Sequence, residues 1–115
     1  MRTLSAQYIF DGNVLHKLAK LHIDDKKKLN YLEESFNSYQ ETAKVEFYNG
    51  IICFNTEQIQ LENCLKTQNN HPEYSFSQIL QQNSKQTFNS KIYILENVDL
   101  VNLKIQNQTT IRQLI

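Results

Sequence analysis

The predicted fold depends most on one stretch of the chain, Lys44-Val45-Glu46-Phe47-Tyr48-Asn49-Gly50-Ile51-Ile52-Cys53-Phe54. Its two halves are rich in β-branched and aromatic residues, which favour strands. Asn49-Gly50 lies between them, and this dipeptide between apolar runs is the strongest short-range signal of a two-residue hairpin turn. The stretch therefore predicts a hairpin of two strands, Lys44–Tyr48 and Ile51–Phe54.

The sequence before this hairpin begins with the alternation of a strand. Leu4, Ala6, Tyr8 and Phe10 alternate with mostly polar neighbours, which is the period-2 pattern of a half-buried strand. The following Asp11-Gly12-Asn13 predicts a turn, because Gly and Asn tolerate positive φ. Further strands are predicted at 17–23 and 29–33, with a polar turn at 24–28 and a polar loop at 34–42.

The sequence after the hairpin predicts one short helix and then a return to strands. Ser75–Gln82 is predicted to be the helix, with Phe76, Ile79 and Leu80 on one face. The pattern of Gln58–Leu65 fits neither a helix nor a strand clearly. Loops are predicted at 67–72 and 83–90, and strands at 91–95, 98–105 and 110–115.

Length and composition indicate one globular domain over residues 1–115. Hydrophobic residues make up 40% of the chain and charged residues 21%, a balance typical of folded rather than disordered proteins. A chain of 115 residues is long enough for a single modest core. Many short strands separated by polar turns favour a mainly-β fold, either a sandwich or an open barrel.

Charge and targeting signals exclude several classes of function. Lys+Arg and Asp+Glu number 12 each, so no long-range field attracts nucleic acid or an anionic membrane. The basic run Lys26-Lys27-Lys28 is predicted to be a solvated turn. The sequence has neither the pattern of a signal peptide nor an apolar run of the roughly 20 residues that span a bilayer. We therefore expect a cytoplasmic protein with reduced cysteines and with no nucleic-acid or membrane partner.

Two histidines are the residues best suited to binding a metal. A spacing of six residues would place His16 and His22 on one face of a continuous strand. Strand histidines that hold no metal are much more common, and we favour that interpretation. His71 precedes Pro72 and is expected to lie in a turn. No metal ligand is assigned.

The side chains that could act in catalysis have simpler structural interpretations. Cys53 lies in an apolar stretch and is expected in the core, and nothing in the sequence pairs Cys64 with the base that a nucleophile needs. Glu57 and Glu62 could form a carboxylate pair, but solvated loop charges are commoner. The two glycines of the chain both lie in predicted turns, which leaves no phosphate-binding loop. No catalytic residue, cofactor-binding residue or cofactor is predicted.

Several stretches of the chain also resemble a known family. Tyr8-Ile9-Phe10-Asp11-Gly12 and Leu18-Ala19-Lys20-Leu21-His22-Ile23-Asp24 resemble the opening strands of the metal-dependent amidohydrolases. Asn49-Gly50-Ile51-Ile52-Cys53 resembles the strand that leads into the catalytic (β/α)8 barrel of that family. Asn97–Lys104 and Thr110–Ile115 resemble its closing strands.

The resemblance implies a β-sandwich formed by N-terminal and C-terminal strands. The N-terminal strands would occupy residues 1–66 and the C-terminal strands residues 91–115. Residues 67–90, with one short helix, would replace the barrel. A (β/α)8 barrel takes about 250 residues, so this segment is far too short to contain one.

The resemblance further implies that the metal site is missing. The family carries two metal-binding histidines on the first barrel strand, and alignment on Leu61-Glu62 places Gln58 and Gln60 at those positions. An amide cannot replace a neutral imidazole as a strong zinc ligand. We therefore expect a protein without amidohydrolase activity.

The expected function is that of a structural or protein-interaction module. Removing the barrel exposes a face of the sandwich, and an exposed apolar face must be covered. We expect Phe76, Ile79 and Leu80 to cover part of this face, and a second copy of the chain or another protein to cover the rest. Two alternatives remain open, a remnant metal-dependent hydrolase and a regulator of an intact amidohydrolase.

Overall fold

A computed structural model describes residues 2–17, 19–23, 29–33, 45–71, 73–83, 91–101 and 104–114. These residues form seven strands and two helices. The predicted turn at 24–28, the loop at 34–42 and most of the linker at 83–90 lie outside them. The elements are β1 (Arg2–Phe10), β2 (Leu15–Lys17), β3 (Lys20–Ile23), β4 (Leu29–Glu33), β5 (Val45–Phe54), α1 (Gln58–Asn70), α2 (Phe76–Asn83), β6 (Ile92–Asp99) and β7 (Lys104–Gln113).

The strands form one mixed sheet in the order β4-β3-β1-β5-β6-β7, and β2 also pairs with β1. β1 and β5 are parallel, and every other described pair is antiparallel. The predicted mainly-β fold is confirmed, with strands from both ends of the chain in the same sheet. Neither helix is both long enough and apolar enough to span a membrane.

The predicted hairpin at Asn49-Gly50 is wrong, because β5 runs straight through this dipeptide. β5 pairs in parallel with β1, first between Thr3 and Val45 and last between Phe10 and Cys53. From the pair Ala6↔Tyr48 to the pair Tyr8↔Ile51, β5 advances three residues while β1 advances two. Gly50 has φ +149° at this irregularity. The glycine therefore permits a bulge within one strand, and not a turn between two.

The prediction of a loop at 67–72 is wrong over its first four residues, which belong to α1. This helix also includes Gln58–Leu65, the stretch with no clear pattern. Its buried residues are Leu61, Cys64 and Gln68, at spacings of three and four that place them on one helix face. Two of these three side chains are not strongly apolar, which explains the weak helical signal.

The predicted short helix is confirmed as α2. Phe76, Ile79 and Leu80 are buried, and they pack with Cys64 and Leu95 in one cluster. These three residues therefore cover part of one face of the sheet; that a barrel would pack on this face stays a prediction.

The core lies on both faces of the sheet. Along β5, Ile51 and Cys53 belong to the cluster under the helices, whereas Ile52 and Phe54 belong to a second cluster. Because successive strand residues point to opposite faces, the second cluster lies on the other side of the sheet. Its members are Leu4, Ala6, Ile9, Ala19, Leu21, Ile23, Ile52, Phe54, Ile92 and Ile94.

Other strand boundaries also differ from the predicted ones: a turn at Leu100-Val101 interrupts the predicted strand at 98–105, and β7 continues through the predicted break at 106–108. The predicted strand at 17–23 is divided between β2 and β3, and Ala19 between them is not in a strand. The predicted break at Glu96-Asn97 does not end a strand, because β6 continues to Asp99. Asn97 has φ +61°, and the register of β6 and β7 shifts beside it. An irregularity inside one strand therefore produced the signal of a strand end.

Candidate binding cleft

The candidate site is a cleft at which two neighbouring strands part. β5 and β6 pair from Phe54↔Ile92 to Ile51↔Leu95. Among the described pairings, β5 continues before Ile51 only with β1, and β6 continues after Leu95 only with β7. A cleft of about 430 Å³ opens where the two strands part. Its lining residues are Asn49, Gly50, Glu96, Asn97, Val98 and Leu100.

Both strands have an unusual backbone at the cleft. Gly50 has φ +149° and Asn97 has φ +61°. Non-glycine residues seldom adopt positive φ, and asparagine does so at less cost than most. The two other described residues with positive φ, Gly12 and Asn55, lie outside the strands. Within the described strands, positive φ thus occurs only at the cleft.

One wall of the cleft is fixed by Gln7 of β1. Its side-chain Oε1 accepts a hydrogen bond from the amide of Gly50 at 2.7 Å, and its Nε2 donates to Oδ1 of Asn49. The Gln7 side chain therefore supplies a hydrogen-bond partner for the Gly50 amide, which the bulge removes from the main-chain hydrogen bonds of the sheet. This contact holds Asn49 in position at the mouth of the cleft.

The other wall is fixed by contacts between β6 and β7. Nε and Nη2 of Arg112 lie 3.0 and 3.4 Å from the two carboxylate oxygens of Glu96, a bidentate pair. Thr109 Oγ1 donates to the carbonyl oxygen of Asn97 at 2.7 Å, and Asn97 Nδ2 donates to the carbonyl of Gln108 at 3.3 Å. The irregular backbone at Asn97 is thereby tied to β7.

The chemistry of the lining is suited to binding. It combines two carboxamides, one carboxylate with its arginine, and the aliphatic side chains of Val98 and Leu100. The Glu96 carboxylate hydrogen-bonds to Arg112 and raises the pKa of that guanidinium, so Arg112 stays charged at neutral pH. None of the lining residues is a histidine, cysteine, serine or lysine, and the one acid-base group in the lining, Glu96, is bound to Arg112.

A second polar arrangement lies after β1, where Asp11 closes the turn to β2. Its Oδ1 accepts hydrogen bonds from the amides of Asn13 and Val14 at 2.8 and 2.7 Å, and its Oδ2 lies 2.7 Å from Nε2 of His16. Burial alone would raise the pKa of Asp11, but the bonds from His16, Val14 and Asn13 outweigh it and lower the pKa below 3.8. The carboxylate therefore caps the turn and hydrogen-bonds to His16.

The two histidines weighed as metal ligands lie in different strands. His16 is opposite Ile9 of β1, and His22 is opposite Thr3. These positions are six residues apart along β1, which corresponds to about 20 Å in a strand. The two imidazoles therefore cannot bind one ion together. The Nδ1 atom of His22 lies 3.2 Å from the hydroxyl of Thr3.

The cysteines belong to the core below the helices. Cys53 and Cys64 are both buried in the same cluster, which confirms the core position expected of Cys53. Burial, with a smaller contribution from Cys64, raises the pKa of the Cys53 thiol. Burial raises the pKa of Cys64 to about 11. Both thiols are therefore protonated at neutral pH and are poor nucleophiles.

Gln58 and Gln60, which the family resemblance aligns with metal-binding histidines, make hydrogen bonds in the first turn of α1. Oε1 of Gln60 accepts bonds from the amide of Glu57 and the hydroxyl of Thr56, both at 3.0 Å. Gln58 Nε2 donates to Glu62 at 3.1 Å. Positions i and i+2 do not share a helix face, so Gln58 and Gln60 do not fit a common zinc ion. In the described part of the chain no three His, Cys, Asp or Glu residues are grouped as a metal site.

Comparison with protein-family models, with curated proteins and with solved structures finds no match to this chain. The resemblance to the amidohydrolases therefore stays a prediction. The cleft itself was not predicted, since it depends on the pairing of strands about 40 residues apart in sequence. One signal was present, the break in strand pattern at Glu96-Asn97.

Proposed function

We propose that the chain is a non-catalytic binding domain and that it holds part of a partner protein in the cleft between β5 and β6. The observation that carries this proposal is the strain at the cleft. Residues in sparsely populated backbone conformations concentrate at functional sites, because the strain must be offset by the surrounding structure. Here Gly50 and Asn97 adopt positive φ on opposite sides of the same cleft.

The surface around the cleft supports a protein partner. Phe47, two residues before Asn49 on β5, is 63% exposed, and Val101, next to Leu100, is 92% exposed. Exposed large apolar residues beside a concave polar site are typical of protein-binding surfaces. The cleft also falls within the range of about 300–1,000 Å³ that is usual for binding sites.

The chemistry of the described residues favours binding over catalysis. The thiols are buried and protonated, and the Asp11–His16 pair lies at a turn outside the cleft lining. A histidine–carboxylate pair supports catalysis when a nucleophile or substrate group lies in reach of the imidazole.

Site-specific photo-crosslinking tests this function. Phe47 is replaced by benzoylphenylalanine, which keeps an aromatic side chain at this exposed position, and the chain is irradiated in extract of its native cells. We expect one crosslinked protein of defined mass. The matched control places the same residue at Tyr74, which is 42% exposed and lies between the two helices.

The proposal requires that the crosslink form at position 47 and not at position 74. It also requires competition by excess unlabelled chain. Equal crosslinking at both positions, or none at position 47, contradicts it. A crosslinked product with twice the mass of the chain would identify the partner as a second copy.

A further inference from the structure

We infer that the cleft binds its partner as an added β-strand, a short extended segment that lies between β5 and β6. This inference rests on the proposed function and specifies the form of the partner. The cleft is the place of a missing strand, because it separates two strands that are hydrogen-bonded neighbours farther along their length.

The backbone of both strands supports this mode of binding. The first half of β5 has β1 as its described neighbour on one side, and its described pairing with β6 begins only at Ile51. The end of β6, from Glu96 to Asp99, has β7 as its described neighbour. A strand presents hydrogen-bonding groups on both edges, so each of these segments has a second edge that faces the cleft. Main-chain hydrogen bonds to such an edge give affinity in strand addition.

The side chains at the cleft determine which partner sequence can bind there. Val98 and Leu100 pack against the cluster below the helices, and Phe47 lies on the same face, since its neighbour Tyr48 packs against the opposite cluster. An added strand would place alternate side chains over these three apolar residues. The partner segment should therefore alternate apolar residues, preferably β-branched or aromatic, with polar ones.

The size and charge of the cleft disfavour a folded protein surface and a nucleic acid as occupants. Three extended residues span about 10 Å, so a cleft of about 430 Å³ suits a short segment and not a folded surface. Glu96 is the one charged residue in the lining, and its partner Arg112 is bound to it. A negative carboxylate without a free cation disfavours nucleic acid and other polyanions.

A peptide selection tests the inference directly. A phage-displayed library of random heptapeptides is selected on the full chain, and the most enriched peptide is synthesised. We expect alternating apolar residues and no central proline, because proline removes a main-chain donor. Transferred nuclear Overhauser effects between the peptide Hα protons and the amides of Gly50 and Asn97 would place the peptide as a strand.

Two variants and one modified peptide make the test sharp. Phe47→Ala, at an exposed position, should weaken peptide binding at least about fivefold, the effect of losing one apolar anchor. Ile59→Ala, at a similarly exposed position on α1 outside the cleft lining, should change it less than about twofold. N-methylation of one central amide should weaken binding at least about tenfold, because a main-chain hydrogen bond is lost and a methyl group blocks the edge.

The contrary results are equally specific. The inference is overturned if no peptide is enriched, if the selected peptides bind elsewhere, or if N-methylation at every central amide is tolerated. If any of these occurs while the crosslink at position 47 persists, strand addition fails and the proposed function stands. If the crosslink also fails, the proposed function fails with it.

Discussion

Gly50 lies directly against the backbone of Leu95, so that a Cβ atom on residue 50 would overlap the Leu95 carbonyl oxygen. The same glycine has φ +149°, and its amide donates to Gln7. Leu95 pairs with Ile51 in the last described pair of β5 and β6 at the cleft, and Gly50 directly precedes Ile51. The close approach of these two backbones therefore fixes the point at which the strands separate.

We expect Gly50→Ala to destabilise the chain by at least about 2 kcal/mol. The substitution adds the cost of positive φ for an L-residue to an overlap with a backbone atom that cannot move away cheaply. Urea denaturation followed by circular dichroism measures the change in the free energy of unfolding. Thr110→Ala on exposed β7 is the control and should cost less than about 0.5 kcal/mol. A loss at Gly50 no larger than the control would contradict the close approach.

Asp11→Asn should destabilise the turn between β1 and β2 in a pH-dependent way. The pKa of Asp11 is lowered from 3.8 in the folded chain, so its carboxylate stabilises the fold at pH values above the unfolded pKa. We expect the variant to be about 1 kcal/mol less stable at pH 7. The difference should shrink as the pH falls through 3.8 and vanish below the folded pKa.

The control for this pH dependence is Glu73→Gln. Glu73 lies 3.4 Å from Nδ1 of His71, but both side chains are more than half exposed. Exposed pairs of this kind contribute little, at most about 0.5 kcal/mol. A constant Asp11→Asn difference between pH 7 and pH 2.5 would show that the carboxylate is not held in its charged form.

Both cysteines should resist thiol reagents in the folded chain. Cys64 has a pKa of about 11, so at pH 8 about one part in a thousand of this thiol is thiolate. Burial slows its reaction further. We expect Ellman's reagent to label neither cysteine within minutes, and to label both in guanidinium chloride. Val101→Cys, at a position that is 92% exposed, supplies the positive control. Rapid labelling of Cys64 at the control's rate would be incompatible with its burial.

Gln60→Ala should cost about 1 kcal/mol, because Gln60 caps the first turn of α1 through Glu57 and Thr56. Gln58→Ala is the matched control in the same turn. It removes one exposed contact with Glu62 and should cost at most about 0.5 kcal/mol. Thermal unfolding of the two variants side by side gives the comparison. Equal losses would mean that the cap contributes nothing.

We expect the purified chain to bind no stoichiometric zinc. The histidines at positions 16 and 22 lie in different strands, and the glutamines at 58 and 60 occupy different faces of a helix turn. Elemental analysis after dialysis measures bound metal, and His16→Ala distinguishes a specific site from a contaminant. One equivalent of zinc that His16→Ala removes would favour the alternative of a metal-dependent hydrolase remnant.

Local sequence pattern correctly predicted the elements whose structure depends mainly on their own residues. Alternation in Leu4–Phe10 predicted β1, and the apolar face of Phe76, Ile79 and Leu80 predicted α2. The bounds of β4 were predicted as well. In α1 the buried face carries Cys64 and Gln68, so the helical period was not visible as hydrophobicity. The Glu57-to-Gln60 spacing of a capping box was the available signal.

The Asn49-Gly50 dipeptide shows what local sequence pattern cannot predict. Its sequence permits positive φ, and this property was determined by residue type alone. Whether positive φ produces a turn or a bulge depends on which strand lies beside it. Here β1, about 40 residues earlier in sequence, pairs in parallel with β5 and keeps it extended.

Local sequence was enough to predict β1, β4 and the short helix, the neutral net charge and the conformational freedom of Gly50. The tertiary structure alone decided the order of the strands, the separation of the two histidines and the cleft between β5 and β6. The physical reason is that local preferences arise from contacts within a few residues. The cleft arises instead from non-local hydrogen-bonding partners, since β5 takes its neighbours from residues 3–10 and 92–95.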